Sequence, residues 1–338
     1  MRFVIYGAGA IGGVVGGRLF EAGHDVTLIA RGAHERVLRE RGLRLASADG
    51  VATLPIPVAG NPADAGLVSG DVVILAMKSQ DSAAAVQALA ASAPPGIALA
   101  CAQNGVENER LALRWFPDVY AVNVMCPATH LEPGAVVAHS SPISGILDVG
   151  RYPSGTDDVT RDLAEAFRGA TFASEERDDI LRWKYRKLIM NLGNAVDAVS
   201  GALGSSGGFG TSQEIRQLLS RVRAEGEACL AAAGIGVASV AEDRERRGNL
   251  LTRQAVDGTE HSGSSSWQSL ARGTGTVESD YLNGEIVLIG RLHGVPTPAN
   301  ELLRRLAATM AAGGQPPGSM AAADVLARLD AQPSAPGA

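Results

Sequence analysis

The sequence predicts an α/β fold in which a mainly parallel sheet is followed by an all-helical domain. Three observations lead there. The chain opens with strand, glycine turn, helix and second strand between Met1 and Arg31, apolar strand-length runs recur as far as Val149, and beyond about residue 175 the apolar spacing becomes helical. The expected domains are 1–174 for the sheet and 175–331 for the helices, with 332–338 a disordered tail rich in Pro, Ser, Ala and Gly.

The opening unit carries the first chemistry. Phe3 to Tyr6 are β-branched or aromatic, as a buried strand requires, and they run directly into Gly7-Ala8-Gly9-Ala10-Ile11-Gly12, which fills the spacing G-x-G-x-x-G. Gly7 permits the tight turn, Gly9 lets a pyrophosphate approach the backbone, and Gly12 lets the helix pack closely on the strand. The amides opening that helix then face the phosphates with the positive end of the helix dipole. Val14 to Leu19 continue the helix, and Asp25 to Ala30 form the second strand, so the βαβ frame that gives the motif its meaning is complete. NAD-specific folds place Asp or Glu at the end of that strand, about 20 residues past the glycines, to hold the ribose 2′-OH. Here the position is Arg31, whose guanidinium suits a 2′-phosphate, so NADP(H) is the expected cofactor.

The rest of the first half continues the pattern. A helix near Ala33 to Glu40 leads into Leu43 to Leu45 and Val51 to Leu54, joined through Asp49-Gly50, a hairpin signal that predicts an antiparallel excursion. Asp71 to Met77 is nearly all apolar and reads as a central parallel strand covered on both faces. Lys78 stands at its carboxyl end, where ligands of open α/β sheets gather; it is either a ligand contact or a solvated loop residue. After a helix over Ser82 to Ala91, the strand Ile97 to Ala102 ends in Gln103-Asn104-Gly105-Val106. The Asn104 amide can donate and accept at once, although Asn-Gly is also a common turn. Strands near Val119 to Val124, Ala135 to His139 and Ser144 to Val149 complete a sheet of seven or more, and Asp157 to Phe167 reads as helix.

Ile180 to Val199, Thr211 to Ala232, Val240 to Gln254 and Ser279 to His293 carry helical periodicity, with a flexible glycine and serine loop expected over Gly201 to Gly210. The hydrophobic fraction of 46% and charged fraction of 20% describe a globular chain, and a net charge of −6 without a basic helix face argues against nucleic acid. No apolar run is long enough to span a bilayer, and the amino terminus enters a strand directly, so a cytoplasmic enzyme is expected. Cys101, Cys126 and Cys229 are widely spaced and read as small core residues; neither they nor the six histidines fall at ligand spacings, so no metal is expected.

The clearest constellation lies in Trp183 to Asn194. On a helix Lys187, Asn191 and Asn194 stand at i, i+4 and i+7 and share one face. Apolar neighbours bury this helix, and a buried polar group without a partner costs about 1 to 3 kcal/mol, so one ammonium and two amides in a stripe point to a ligand or to a hydrogen-bond network. Lys184 lies on nearly the same side and rivals Lys187.

Taken with Arg31 and the glycine motif, with Lys78, with Gln103-Asn104-Gly105-Val106, with Lys187-Leu188 and Asn191, and with Glu278-Ser279-Asp280-Tyr281-Leu282-Asn283-Gly284, the chain resembles the ketopantoate reductases. These combine a Rossmann-type domain with a helical domain like that of 6-phosphogluconate dehydrogenase. The resemblance implies NADPH-dependent reduction of a 2-oxo acid to a 2-hydroxy acid between the domains, ketopantoate (2-dehydropantoate) to pantoate in pantothenate biosynthesis. By analogy Lys187 is the proton donor, Lys78 and Asn104 line cofactor and substrate, Glu278 contacts the cofactor ribose, and Asn191 with a serine of Ser264-Ser265-Ser266, taken as Ser265, holds the substrate. Two departures touch the substrate side. Ala195 stands where the resemblance expects a second asparagine, with Asn194, taken as a substrate contact in its place, one position earlier, and the serine motif runs Gln268-Ser269 with one extra residue before Glu278. A related ketone or imine reductase, or a non-catalytic NADP(H) sensor, are the competing readings. The expected partner is a small 2-oxo acid, with no nucleic acid or membrane, and a homodimer is left open.

Overall fold

A computed structural model describes residues 1–130, 132–202, 212–256 and 263–331. Most of the expected glycine and serine loop and the whole 332–338 tail lie outside the described residues. The chain divides into two compact units, Met1–Lys184 with Ser239–His261, and Tyr185–Ala238 with Ser262–Ala338. The return of 239–261 to the first unit has no signature in the apolar spacing, which gave one division after residue 174.

In the first unit β1 (Arg2–Tyr6), α1 (Ala10–Glu21) and β2 (Asp25–Ile29) are followed by α2 (Gly32–Arg41). The hairpin is β3 (Leu43–Ser47) and β4 (Gly50–Leu54), and β5 (Val58–Ala59) precedes β6 (Val72–Leu75). Next come α3 (Ser82–Ala90), β7 (Ala98–Cys101), α4 (Glu107–Ala112) and β8 (Val119–Met125). The unit continues through β9 (Ala128–Thr129), β10 (Ala135–Ala138), β11 (Ser140–Pro142), β12 (Gly145–Arg151), α5 (Asp158–Gly169) and β13 (Phe172–Ala173).

Among the described residues the main sheet has eight strands, ordered β13-β12-β8-β7-β6-β1-β2-β5, and only the β8–β12 pairing is antiparallel. Both faces are covered, which is why its strands carry apolar residues at successive positions. Phe3 and Ile5 pack into one cluster with Val14, Val15 and Leu19 of α1, while Val4 packs into the other with Val73, Leu75, Val86 and Leu89. The hairpin leaves this sheet, as Asp49-Gly50 predicts. It carries β10 with it, so the Ala135 strand joins a separate sheet ordered β4-β3-β10-β9 instead of extending the main one.

The helical pattern of Val240 to Gln254 is cut in two. A capping box of Ser239 and Glu242 starts α9 (Val240–Arg247), Gly248 at φ +43° ends it, and β14 (Leu251–Arg253) pairs antiparallel with β11. Inside the unit, Arg246 Nη2 and Nε donate to the fully buried Asp148 at 2.6 and 2.9 Å, and the Glu175 amide donates to the same carboxylate at 2.9 Å. Removing one partner of a buried pair is costly whereas an exposed pair contributes little. Arg246→Ala is therefore expected to lower stability by about 3 kcal/mol, and Arg182→Ala, which breaks the more exposed pairs with Asp179 and Glu242, by clearly less. Thermal denaturation of both variants checks this, and equal shifts would contradict it.

The helix α6 (Ile180–Asn191) crosses the division, with α7 (Gly193–Ser200), α8 (Gln213–Ala232), α10 (Ser265–Ala271), α11 (Asn283–His293), α12 (Pro298–Ala312) and α13 (Ala322–Asp330) in the second unit. The single helix expected over Ile180 to Val199 is interrupted at Leu192. Two causes act together: Gly193 weakens the helix, and the distant Asn283 donates through Nδ2 to the Leu192 carbonyl at 3.2 Å and to Asn300 Oδ1 at 2.9 Å. Glu225 accepts from the Ala299 and Asn300 amides at 2.8 and 2.9 Å, closing the otherwise uncapped start of α12.

Candidate functional site

In the first unit the glycine turn packs tightly at two of its three motif glycines. Gly7 takes φ +100°, and a Cβ there would stand 2.7 Å from the Met77 amide nitrogen. A Cβ on Gly12 would fall 2.1 Å from the Gly7 carbonyl oxygen and 2.9 Å from Ile5, so α1 lies against β1 as closely as the backbone allows. Gly9 differs from both. Among the described residues a Cβ there would meet only His130 Nδ1, at 3.8 Å, and Gly9 caps α1 without any side-chain hydrogen bond. Open space therefore adjoins the amides that begin the helix, and an anion fits there.

His34 steadies this turn. The Gly134 amide donates to His34 Nδ1 at 2.8 Å, so Nε2 carries the proton and donates to the Ala8 carbonyl at 2.7 Å. Burial pulls the imidazole below its usual pKa, which keeps that neutral tautomer. The His130 ring stacks at a tilt against it, centroids 4.4 Å apart. Neither histidine carries a motif, and the sequence reading passed over both.

Arg31 follows β2 and is 80% exposed, its guanidinium donating to Asp81 Oδ1 at 2.9 Å. An exposed pair of this kind is worth about 0 to 1 kcal/mol, so a phosphate competes for the guanidinium easily. Lys78 and Asn104 are both half-buried and follow the adjacent parallel strands β6 and β7. Their turns are joined: Gln103 Nε2 donates to the Met77 carbonyl at 3.0 Å, and Ser79 Oγ donates to the Asn104 carbonyl at 3.4 Å. Gly105 at φ +81° lets the chain turn immediately after Asn104.

Lys184 is settled differently from Lys187. It is 3% exposed, forms an ion pair with the fully buried Glu109, and donates to the Gln103 carbonyl at 3.1 Å. Burial raises the Glu109 pKa, and the Lys184 ammonium opposes that shift. Burial, with Glu109 adding to it, also pushes the Cys101 thiol well up, so this cysteine is an inert part of the core, as its sequence context suggested. Cys229 is buried as well, and Cys126 is half-buried.

In the second unit Lys187 is half-buried on α6 and Asn191, one turn later, is 6% exposed. Asn194 is the second residue of α7, beyond the interruption, and its Nδ2 donates to Ser265 Oγ at 3.3 Å, so these two expected substrate contacts are brought together. The three serines separate by role. Ser264 caps α10, accepting from the Trp267 amide at 3.2 Å and donating to the Asn194 carbonyl at 3.3 Å, and Ser266 is buried at 2% exposure. The Ser264 amide donates to the fully buried Asp197 at 2.7 Å. Asp197 went unnoticed in the sequence, though a carboxylate flanked by Ala195, Val196, Ala198 and Val199 on a helix is a readable signal of a buried anchor.

Glu278 is 3% exposed in the short turn Glu278–Asp280, and the Tyr281 and Leu282 amides donate to its carbonyl at 2.9 and 3.1 Å. Arg272 lies close enough for the Glu278 carboxylate to favour its charge, while burial draws the guanidinium below its usual value. Among the described residues, no group of three or more His, Cys, Asp or Glu side chains is arranged to hold a metal ion. No described helix is long and apolar enough to cross a membrane.

Comparison with known proteins gives these residues a common context. The family model described as ketopantoate reductase PanE/ApbA matches residues 3–154, and that of the ketopantoate reductase PanE/ApbA C terminal matches residues 179–311. A 2-dehydropantoate 2-reductase of Pyrococcus horikoshii is 30% identical over 304 residues, covering 90% of this chain and 95% of its own. One from Halobacterium salinarum is 30% identical over 311 residues, covering 90% and 97%. The crystal structure of a PanE/ApbA family ketopantoate reductase from Ralstonia eutropha superposes with a TM-score of 0.77 at 29% identity, over 93% of this chain and 99% of that one. With both halves matched in order and nearly all of each relative spanned, the chain belongs to the ketopantoate reductase family.

Proposed function

We propose that this protein is an NADPH-dependent cytoplasmic reductase that converts the 2-oxo acid ketopantoate to pantoate. Its relatives are reductases of this acid, and the cofactor is a nicotinamide dinucleotide. The residues present fit that group: Gly9 leaves open the approach to the amides of α1, where the pyrophosphate binds, and Arg31 takes the 2′-phosphate. When bound, the cofactor supplies hydride to the ketone carbon. The chain supplies the rest.

Lys187 holds a proton at the carbonyl oxygen, polarises the ketone and donates as charge develops there, help that is worth about 10²- to 10⁴-fold. The observation that carries this assignment is the engagement of Lys184, the other lysine of α6, with Glu109 and the Gln103 carbonyl. Lys78 and Asn104 orient cofactor and ketone, Glu278 binds the cofactor ribose, and Asn191, Asn194 and Ser265 hold the substrate. The hydrogen bond between Asn194 and Ser265 supports treating them as one contact surface and supports Ser265 over Ser264, whose hydroxyl already caps α10.

Following NADPH absorbance with ketopantoate tests the reaction. Oxidation above the rate without substrate is expected; its absence with ketopantoate but presence with another 2-oxo acid or an imine would move the substrate while keeping the chemistry. Ala195 and the altered serine motif favour including such compounds in the panel. Absence of turnover with every compound, with NADPH binding retained, would favour a sensor. Arg31→Ala is expected to weaken NADPH by about 10- to 100-fold, the loss of a charge-assisted contact, and NADH by far less. Fluorescence titration with both cofactors checks it, and equal losses would remove Arg31 from the 2′-phosphate.

A further inference from the structure

Lys78 and Asn104 stand on separate turns, and buried side chains of the first unit link those turns in one polar network. Asn108, the second residue of α4, is 2% exposed and donates through Nδ2 to the Asn104 carbonyl at 3.2 Å and to Ser79 Oγ at 3.1 Å. Its Oδ1 accepts from Ser82 Oγ at 2.7 Å, and Ser82 Oγ accepts from Gln103 Nε2 at 2.7 Å. Gln103 Nε2 also reaches the Met77 carbonyl. The Gln103 carbonyl is taken by Lys184, whose charge is matched by Glu109 one residue after Asn108. Both carbonyls flanking the Asn104 α-carbon are thus held by buried donors, and the residues on either side of Lys78 are tied to the same network.

A buried ammonium and carboxylate are an expensive way to fill a core, because an apolar pair of similar volume is often as stable or more so. What the apolar pair lacks is a donor aimed at the Gln103 carbonyl. We propose that Lys184, Glu109 and Asn108 are positioning residues that fix the Asn104 and Lys78 turns in the conformation needed for ligand contact. The inference rests on the assignment of Lys78 and Asn104 as contacts to cofactor and substrate. Lys184 is in this account the support of the site, and Lys187 the group that reacts.

The test is the doubly substituted Lys184→Met/Glu109→Leu protein, compared with Lys184→Met alone. The single variant leaves the Glu109 carboxyl buried without its partner and is expected to melt well below the parent. The double variant is expected to melt close to the parent, yet its amides over residues 103–106 should exchange with deuterium at least about 10-fold faster. Its kcat/KM for NADPH and ketone should fall by about 10- to 100-fold, and adding Asn104→Ala should cause little further loss, as for residues acting through one group. Parental exchange in that segment at parental melting temperature overturns the proposal, and so do kinetic losses that simply add. If the apolar pair does not fold, Asn108→Ala answers the same question, with faster exchange at 103–106 expected and unchanged exchange fatal. Should the parent turn over no ketone, the functional reading fails by itself, and the exchange measurement still decides the clamp.

Discussion

Lys187→Ala is expected to lower kcat by about 10²- to 10⁴-fold while leaving the dissociation constant of NADPH within about twofold of the parent. The two lysines of α6 differ in what their removal costs. Removing Lys184 leaves a fully buried carboxyl without its partner, so stability falls by about 3 to 5 kcal/mol and activity falls with it. Lys187 is half-buried, and its removal is expected to lower the melting temperature less than removal of Lys184 does. Its proposed interaction strengthens as negative charge builds on the ketone oxygen, so kcat and kcat/KM should fall together. Lys187→Arg keeps the positive charge but is a poor proton donor at neutral pH, and it should recover only part of the loss. Single-turnover kinetics with a melting curve for each variant separates the cases. A kcat within about tenfold of the parent in Lys187→Ala would pass the role of acid to another group.

Much of this arrangement is legible in the sequence because it depends on period and on strand ends. The strand β1, the glycine turn and α1 are local, and a continuous apolar run such as Val72–Leu75 can be little else than a strand covered on both faces. The positions of Lys78 and Asn104 follow from the strand ends alone. What the sequence hid are partnerships between distant residues. Glu109 reads as one more acidic residue on a short helix, and only the fold brings Lys184 to it. The break at Leu192 was hidden in the same way, since the group that takes its carbonyl is Asn283, far along the chain. The Val240 to Gln254 pattern failed for a nearer reason: Gly248 at φ +43° stops α9, and the residues after it find an open strand edge in β11. Family resemblance named Lys187, Asn191 and Glu278, but it said nothing of the His34 bridge or of the network under Asn104.

Gly9→Ala and Gly12→Ala are expected to fail in opposite ways. At Gly12 an added Cβ stands 2.1 Å from the Gly7 carbonyl oxygen, 2.9 Å from Ile5 and 3.0 Å from Ala76. The first of these is backbone and cannot rotate aside, so α1 must move off β1; overpacking of this kind costs about 1 to 3 kcal/mol or more. Melting temperature should drop, and NADPH binding should weaken because the helix start no longer faces the phosphates. At Gly9 the backbone is extended at φ −71°, a conformation alanine adopts, and among the described residues the new methyl group meets only His130 Nδ1 at 3.8 Å. Replacing glycine where the conformation suits alanine stabilises by about 0.4 to 1 kcal/mol through the unfolded chain, so Gly9→Ala should melt at or slightly above the parent temperature. The same methyl fills the space through which a pyrophosphate reaches the amides of α1. Each charge-assisted hydrogen bond lost there is worth about 1.5 to 3 kcal/mol, so NADPH affinity should fall by about 10²-fold or more. A protein that is no less stable yet has lost its cofactor is the signature of a glycine kept for its ligand. Parental NADPH affinity in Gly9→Ala would mean that the dinucleotide does not approach over Gly9, and the cradle reading of this turn would have to be given up.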